Sequence, residues 1–290
     1  MSSDNNPGPD FIVSGLMKTS TSWLYQVLAK NSNFDMPLIK ESNYFSYLQN
    51  QMSGNPGDKV LGHVMRKIQE ENEWFANHNG EWTGDYKEIH KTKLSALNNK
   101  PLSEDWYRGL FEIKRDDKLS GDLTPNYATL DNKQLELIKE QYNPRVVIIF
   151  RNPLARFWSG LRMNREIHSL DLTNGQLVMA VLNQKGSQIN LDYREIYENY
   201  LTVFGSALKV YSYEKIHQDP QEFFDDFCNH IGAPKSDVGS IAGEVVFPGP
   251  KLKMPKWLWE YAVEKQTDSR LLMKELFPDQ SAGWICPKLT

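Results

Sequence analysis

Asp10-Phe11-Ile12-Val13-Ser14-Gly15-Leu16-Met17-Lys18-Thr19-Ser20-Thr21-Ser22-Trp23-Leu24 is the stretch on which the fold turns. Its apolar start reads as a short buried strand. A hydroxyl-rich turn with one lysine follows, and then a helix over 20–29, where Trp23, Leu24, Val27 and Leu28 recur near helical spacing. A second stretch repeats the pattern: Arg145-Val146-Val147-Ile148-Ile149-Phe150-Arg151-Asn152-Pro153-Leu154-Ala155-Arg156-Phe157-Trp158-Ser159. Its unbroken apolar run predicts a parallel strand covered on both faces, and Pro153 suits the first turn of the next helix. A strand that delivers the chain to a helix N-terminus makes an anion site, because free N–H groups and the positive end of the helix dipole meet there. Two such sites predict a ligand with two separated phosphates.

Outward from these stretches the chain alternates between helix and strand. Asp131–Gln141 predicts a helix, Leu208–Tyr213 a strand, and Pro220–Ile231 a helix with Phe223, Phe224 and Phe227 on one side and Gly232 as its stop. Met36–Ile39 reads as a short strand. The polar, Trp-rich stretch from Asn50 to Asp117 predicts helices inserted into the core, forming one wall of a substrate site. Trp257–Leu276 reads as one amphipathic helix or a pair. The fold class is α/β: a single domain over 10–290 with a central parallel sheet flanked by helices, preceded by a disordered lead-in over 1–9.

Composition sets bounds. The 290 residues, 40% hydrophobic and 24% charged, suffice for a full α/β core. A formal charge of −4 argues against general nucleic-acid binding, so local basic residues must supply the anion sites. No apolar run approaches the roughly 18 residues of a membrane span, and the N-terminus lacks the basic start and apolar core of a signal peptide. Cys228 and Cys286, the two cysteines, fit a reduced, cytoplasmic protein. No His or Cys cluster has metal-ligand spacing, so no metal is expected.

The first loop departs from a Walker loop, which needs Gly-x-x-x-x-Gly-Lys-Ser/Thr. Here Lys18 comes early and the hydroxyls of Thr19, Ser20, Thr21 and Ser22 follow. That order resembles the 5′-phosphosulfate loop of sulfotransferases that use 3′-phosphoadenosine 5′-phosphosulfate (PAPS). Arg151, Pro153, Arg156 and Ser159 resemble their 3′-phosphate motif, Arg-x-Pro-x-x-Arg-x-x-Ser. Lys40-Glu41-Ser42-Asn43-Tyr44-Phe45 is similar to the Lys-Glu-x-x-Phe-Phe segment of carbohydrate enzymes of the heparan sulfate type. Thr124-Pro125-Asn126-Tyr127 is similar to their Ser/Thr-Pro-x-Tyr stretch. All four fall in family order, and the resemblance extends from about residue 10 to the Trp284 region.

The resemblance implies a P-loop-like sulfotransferase fold and a reaction without metal, in which a sulfuryl group passes from PAPS to a hydroxyl and 3′-phosphoadenosine 5′-phosphate (PAP) leaves. Glu41 would be the general base. Lys18 would stabilise the leaving PAP, and Lys40 would hold the sulfonate. Lys18, Thr19, Ser20, Thr21, Ser22 and Trp23 would line the 5′ end. Arg151 and Ser159, with Lys251 or Lys253 from the Phe247–Pro255 loop, would meet the 3′-phosphate. Ser159 also fits a packing role, and Arg156 is expected to be structural. Ser20 stands where the family commonly has Gly, in a loop that must curl. The family's nearby His is replaced by Asn43, which keeps His63, His78 and His90 open as alternative bases. The implied acceptor is a carbohydrate hydroxyl, with a lipid or polyketide alcohol as the alternative. Trp74, Trp82, Trp106, Tyr86 and Tyr107 fit either sugar stacking or ordinary packing. Two other readings stand: a P-loop nucleotide kinase, which would want a magnesium-binding Asp where Arg151 ends its strand, and a nucleotide-binding protein without catalysis.

Overall fold

The structure, a computed structural model, describes residues 7–78, 80, 83–112, 117–184, 187, 189–239 and 252–281. Four strands form one parallel sheet: β1 (Phe11–Val13), β2 (Gly121–Leu123), β3 (Arg145–Phe150) and β4 (Leu208–Ser212), in the order β2-β1-β3-β4. Phe11 pairs with both Gly121 and Arg145, and Phe150 pairs with Ser212. The Phe11–Gly121 pairing explains the glycine, since a Cβ at 121 would lie 2.2 Å from the Phe11 ring.

Helices follow the predicted plan with shifted ends. They are α1 (Thr21–Lys30), α2 (Tyr44–Met52), α3 (Asp58–His78), α4 (Gly84–Asn98), α5 (Glu104–Glu112), α6 (Asn132–Tyr142) and α7 (Pro153–His168). Then come α8 (Gly175–Leu182), α9 (Tyr193–Phe204), α10 (Tyr213–Gln218), α11 (Pro220–Ile231), α12 (Lys256–Lys265), α13 (Thr267–Leu276) and α14 (Pro278–Ser281). The Asn50–Asp117 stretch thus supplies α3, α4 and α5 and the end of α2, and Trp257–Leu276 is a pair of helices. Gly232 stops α11 in the left-handed conformation, with φ 78°. Met36–Ile39 is not a strand. Pro37 has no N–H to donate to a ladder, and the Tyr25 hydroxyl of α1 donates to the Pro37 and Leu38 carbonyls instead.

The unbroken apolar run of β3 has the predicted meaning. Val146, Ile148 and Phe150 join Ile12 in a core with α6, α9 and the inserted helices. Val147 and Ile149 join Phe11 and Val13 in a second core with α1 and α11. Side chains alternate between the two faces with a period of two, so each buried residue of β3 contributes roughly 1.5–3 kcal/mol to one core or the other. β1 lies between β2 and β3, and the chain leaves it towards one neighbour and returns at the other. The carboxyl ends of β1 and β3 therefore flank a switch point, where open parallel sheets receive ligands.

Asp122, on β2, is buried at 3% exposure. Its carboxylate accepts from Thr124 Oγ1 (2.6 Å), Ser42 Oγ (2.7 Å), Tyr127 OH (2.9 Å) and Tyr107 OH (3.1 Å). Burial pushes its pKa up while the hydroxyls pull it back. The knot ties β2 to α5, to the Thr124–Tyr127 stretch and to the residue after Glu41. Asp122→Ala would leave four hydroxyls without their shared acceptor. It should lower unfolding free energy by at least about 3 kcal/mol, given ~1–3 kcal/mol per unsatisfied buried group. Urea unfolding is the check, with Asp122→Asn expected to cost less because its amide oxygen still accepts.

Candidate functional site

The loop leaving β1 curls tightly. Ser14 N–H donates to the Val147 carbonyl (2.8 Å), and its hydroxyl lies 2.6 Å from Tyr200 OH. A Cβ on Gly15 would come within 2.7 Å of Thr21 Cγ2 and 2.9 Å of Thr19 Oγ1, so only glycine fits there. Lys18 (φ 70°) and Ser20 (φ 67°) are left-handed, and Thr19 between them is not. Alternating hand turns successive N–H groups inward, the nest arrangement that binds anions. Position 20 thus has the positive φ that a glycine would supply without strain. No side chain caps α1. Its first-turn amides have no partner within the helix and lie at the positive end of its dipole.

Two of the loop residues expected to face a ligand turn elsewhere. Thr19 Oγ1 donates to the Leu16 carbonyl (2.6 Å), bracing the loop from inside. The Trp23 ring is buried in the core beside Phe223, 6.2 Å between centroids. Helical geometry sends the third residue of α1 towards the sheet.

Arg151, at the end of β3, reaches the same loop. Its Nη1 donates to the Lys18 carbonyl (3.0 Å), and its guanidinium lies 4.1 Å over the Tyr213 ring. Its Nε is buried without a hydrogen-bond partner. The Arg151 carbonyl accepts from Tyr193 OH (3.0 Å), which itself accepts from Arg156 Nε (2.9 Å). Arg156 also donates to the Ile189 carbonyl, the structural role expected of it. Burial, then Arg151 and Arg162, lower the Lys18 pKa. Three cations therefore crowd one spot, and neither Lys18 nor Arg151 has an ion-pair partner among the described residues. Arg162 had no motif to mark it; its only signal was its place three residues after Ser159, on the same side of α7.

The second helix end differs from the prediction. Asn152 caps α7, its side-chain oxygen accepting from Leu154 N (3.0 Å) and Ala155 N (3.2 Å). The amides expected to bind a second anion are spent on this cap. Any second anion must meet side chains instead: Arg151, Arg162 and Ser159, the last 6% exposed on α7. Trp158 Nε1 donates to the Leu252 carbonyl (3.1 Å), which brings exposed Lys253 to the same helix. Lys251 lies outside the described residues.

Lys40 and Glu41 lie beside α1, on the segment held by Tyr25. Glu41 (φ 65°) and Asn43 (φ 53°) are left-handed. Both Glu41 oxygens face nitrogen groups: the Lys40 ammonium, Nζ at 2.5 Å on Oε1, and the His63 imidazole, Nε2 at 3.6 Å from Oε2. The second is an ion-pair distance, too long for a hydrogen bond. Lys67, one turn after His63 on α3, donates to the Lys40 carbonyl (2.9 Å). Burial raises the Glu41 pKa, but His63, Lys40 and Lys67 outweigh it and bring it down to about 2. Of the three candidate histidines, His63 alone is seen against Glu41. His90 stacks on Phe75 and pairs with Glu71 (3.3 Å), and His78 stacks on Trp74.

The aromatic wall is thinner than expected. Trp106 is core, donating to the Leu97 carbonyl, and Tyr107 belongs to the Asp122 knot. Trp74 remains, 42% exposed. Trp82 and the side chain of Tyr86 lie outside the described residues. His217, which no sequence motif marks, stands 2.9 Å from Ser20 Oγ. Its signal was the Tyr213–His217 spacing of four on a helix directly after a strand.

Comparison with known proteins bears on the family and the fold. The model of the sulfotransferase family matches residues 9–237. A sulfotransferase from Alicyclobacillus acidocaldarius is 18% identical, with a TM-score of 0.58 over 91% of this chain and 95% of its own; this likeness shows the fold. The sulfotransferase domain of the Synechococcus PCC 7002 olefin synthase is 17% identical, with a TM-score of 0.48 over 86% of this chain and 84% of its own. No curated protein matches the sequence.

The Glu41 ion pairs carry a pH signature. Its folded pKa lies below its ordinary value of 4.5, so its contribution to stability is full above that value. It is lost as pH falls towards about 2. Glu41→Gln should remove this part of the acid sensitivity. Urea midpoints taken above and within that window should fall further on acidification for the parent than for the variant.

Proposed function

We propose a specific reaction for this chain, which belongs to the sulfotransferase family and is a sulfotransferase enzyme: transfer of the sulfuryl group of PAPS to an acceptor hydroxyl. The observation that carries it is the convergence of Lys18 and Arg151, without counterions among the described residues, on the uncapped N-terminus of α1 at the β1–β3 switch point. That arrangement suits a ligand with phosphate at both ends. The nest amides, Ser20, Thr21 and Ser22 would hold the 5′-phosphate. Arg151, Ser159 and Lys253, with Arg162, would hold the 3′-phosphate.

The chemistry is an exchange of oxygens at sulfur. The acceptor oxygen forms a bond to sulfur as the bridging S–O bond breaks, the acceptor proton passes to Glu41, and the electron pair leaves with PAP. As in phosphoryl transfer, positioning and charge stabilisation supply most of the rate. Lys18 meets charge growing on the bridging oxygen. Glu41, paired with Lys40 and His63, is a weak base in this resting arrangement. Lys40 turning to the sulfonate would remove a counterion from Glu41 and make it more basic. Donor arrival thereby arms the base. The acceptor carries a hydroxyl, and carbohydrates are the first class to screen, with exposed Trp74 as a stacking surface.

PAP should bind this chain at least about tenfold more tightly than 5′-AMP, the equivalent of one charge-assisted hydrogen bond. Arg151→Ala should erase most of that preference, read by calorimetry. Comparable affinities for the two nucleotides in the parent would refute the donor assignment.

Glu41→Gln keeps the size of the side chain but removes its basicity. With an acceptor found by screening hydroxyl compounds against labelled PAPS, it should bind PAP as the parent does and lose roughly 10²–10⁴-fold in turnover. Near-parental turnover would sink the base assignment.

A further inference from the structure

Ser20 is unusual among residues that precede helices. It sits where an N-cap would be, yet its hydroxyl does not cap α1. It points instead to His217 Nε2 at 2.9 Å, across 197 residues of sequence. His217 is on α10, which begins directly after β4, the strand next to β3. The imidazole therefore arrives at the carboxyl edge of the sheet from the side opposite β2. One turn earlier on α10, the Tyr213 ring packs against it at a tilt, 4.4 Å between centroids, and carries the Arg151 guanidinium. Ser20, His217, Tyr213 and Arg151 make a continuous rim along the uncapped end of α1.

We propose that the Ser20–His217 pair is a contact for the 5′-phosphate end of the donor. The proposal rests on the PAPS donor reading and adds to it a residue from α10. Imidazole can donate Nε2–H directly to a phosphate oxygen, or hold the Ser20 hydroxyl so that its proton points to one. Either use needs no movement of the backbone.

The surrounding charges give the pair a measurable signature. From the end of β3, Arg151 faces this rim. On α10 itself, Glu214 is turned to the Asn152 N–H and the Ser212 hydroxyl, and Lys215 is paired with Glu222 of α11. Of these charges, Arg151 is the one that acts on His217. Burial and then Arg151 lower its pKa, so in this arrangement the imidazole sheds its proton more readily than an ordinary histidine. A phosphate seated against it reverses the sign of the local field and raises its proton affinity. Donor binding should therefore be accompanied by proton uptake between the free-state and bound-state values, and should weaken as pH rises through the bound-state value.

The test titrates the whole chain with PAP by calorimetry near pH 7, in buffers of different ionisation heat, to count protons taken up per nucleotide. His217→Gln should lower uptake below the parent's. The nucleotide's own phosphates, which also titrate near pH 6, contribute equally to both proteins. PAP affinity should fall about fivefold to tenfold, the range of a modest hydrogen-bond loss. The same factor should appear with 5′-AMP, because the contact serves the end that both nucleotides share. Ser20→Ala, on the other side of the pair, should give a smaller loss in the same direction. Equal proton uptake and equal affinity in parent and His217→Gln would overturn the proposal while leaving the donor reading intact. A loss confined to PAP and absent with 5′-AMP would also overturn it, by moving His217 to the 3′ end. Failure of the parent to bind PAP would overturn both.

Discussion

Asp122 accepts hydrogen bonds from four hydroxyls at the carboxyl edge of the sheet, and the site is arranged around that knot. A buried carboxylate is costly unless it is fully satisfied, and a satisfied one admits few alternative arrangements of its partners. Ser42 is one partner, so the residue before it, Glu41, is held next to β2. Tyr127 is another, and its carbonyl accepts from Tyr200, whose hydroxyl meets Ser14 at the start of the phosphate loop. One polar chain thus links the candidate base to the curled loop after β1.

Backbone strain is found at both ends of this polar chain, as it is also at Lys100, Leu102 and Ser169. Lys18, Ser20 and Glu41 are left-handed without being glycine or asparagine. Each such residue costs of order 1 kcal/mol or more and persists only when its surroundings over-determine it. Gly15 allows the close approach, Arg151 pulls on the Lys18 carbonyl, and the Asp122 knot anchors Ser42, the residue next to Glu41. The result is a curled loop whose amides face outward from an uncapped helix. Capping governs which helix end receives an anion. Asn152 closes α7 with its own side chain, whereas the Ser20 hydroxyl is drawn away by His217 and leaves α1 open.

Charge follows the same division. Lys18 and Arg151 lie close together without carboxylate partners among the described residues, an arrangement that an anion relieves. Around Glu41 the balance is the opposite: one carboxylate faces Lys40, His63 and Lys67, and its basicity falls far below the ordinary carboxylate range. In the proposed reaction, Glu41 would gain basicity once a partner is drawn off, and a donor sulfonate is an anion suited to draw off Lys40. The two halves of the site are therefore coupled through one lysine side chain.

Local pattern determined a good deal. The apolar run Val146–Phe150 specified a strand buried on both faces, Pro153 the start of α7, and Gly232 the end of α11. Each of these is written in residues that are neighbours in the chain. Met36–Ile39 misled, because apolar residues alone do not reveal that Tyr25 will claim the carbonyls of a ladder. Trp23 misled in the same way, since an aromatic ring reads alike in a core and in a binding wall; for Trp106 and Tyr107, open to either reading, the structure selects packing. What only the tertiary structure decided were the long-range meetings: His63 with Glu41, Arg162 with Arg151, His217 with Ser20, and the Asp122 hydroxyls. These depend on the strand order β2-β1-β3-β4 and on helix rotation. A single sequence encodes such contacts through the packing of the whole chain; spacing on a helix, as at Tyr213–His217, marks a candidate but does not name its partner.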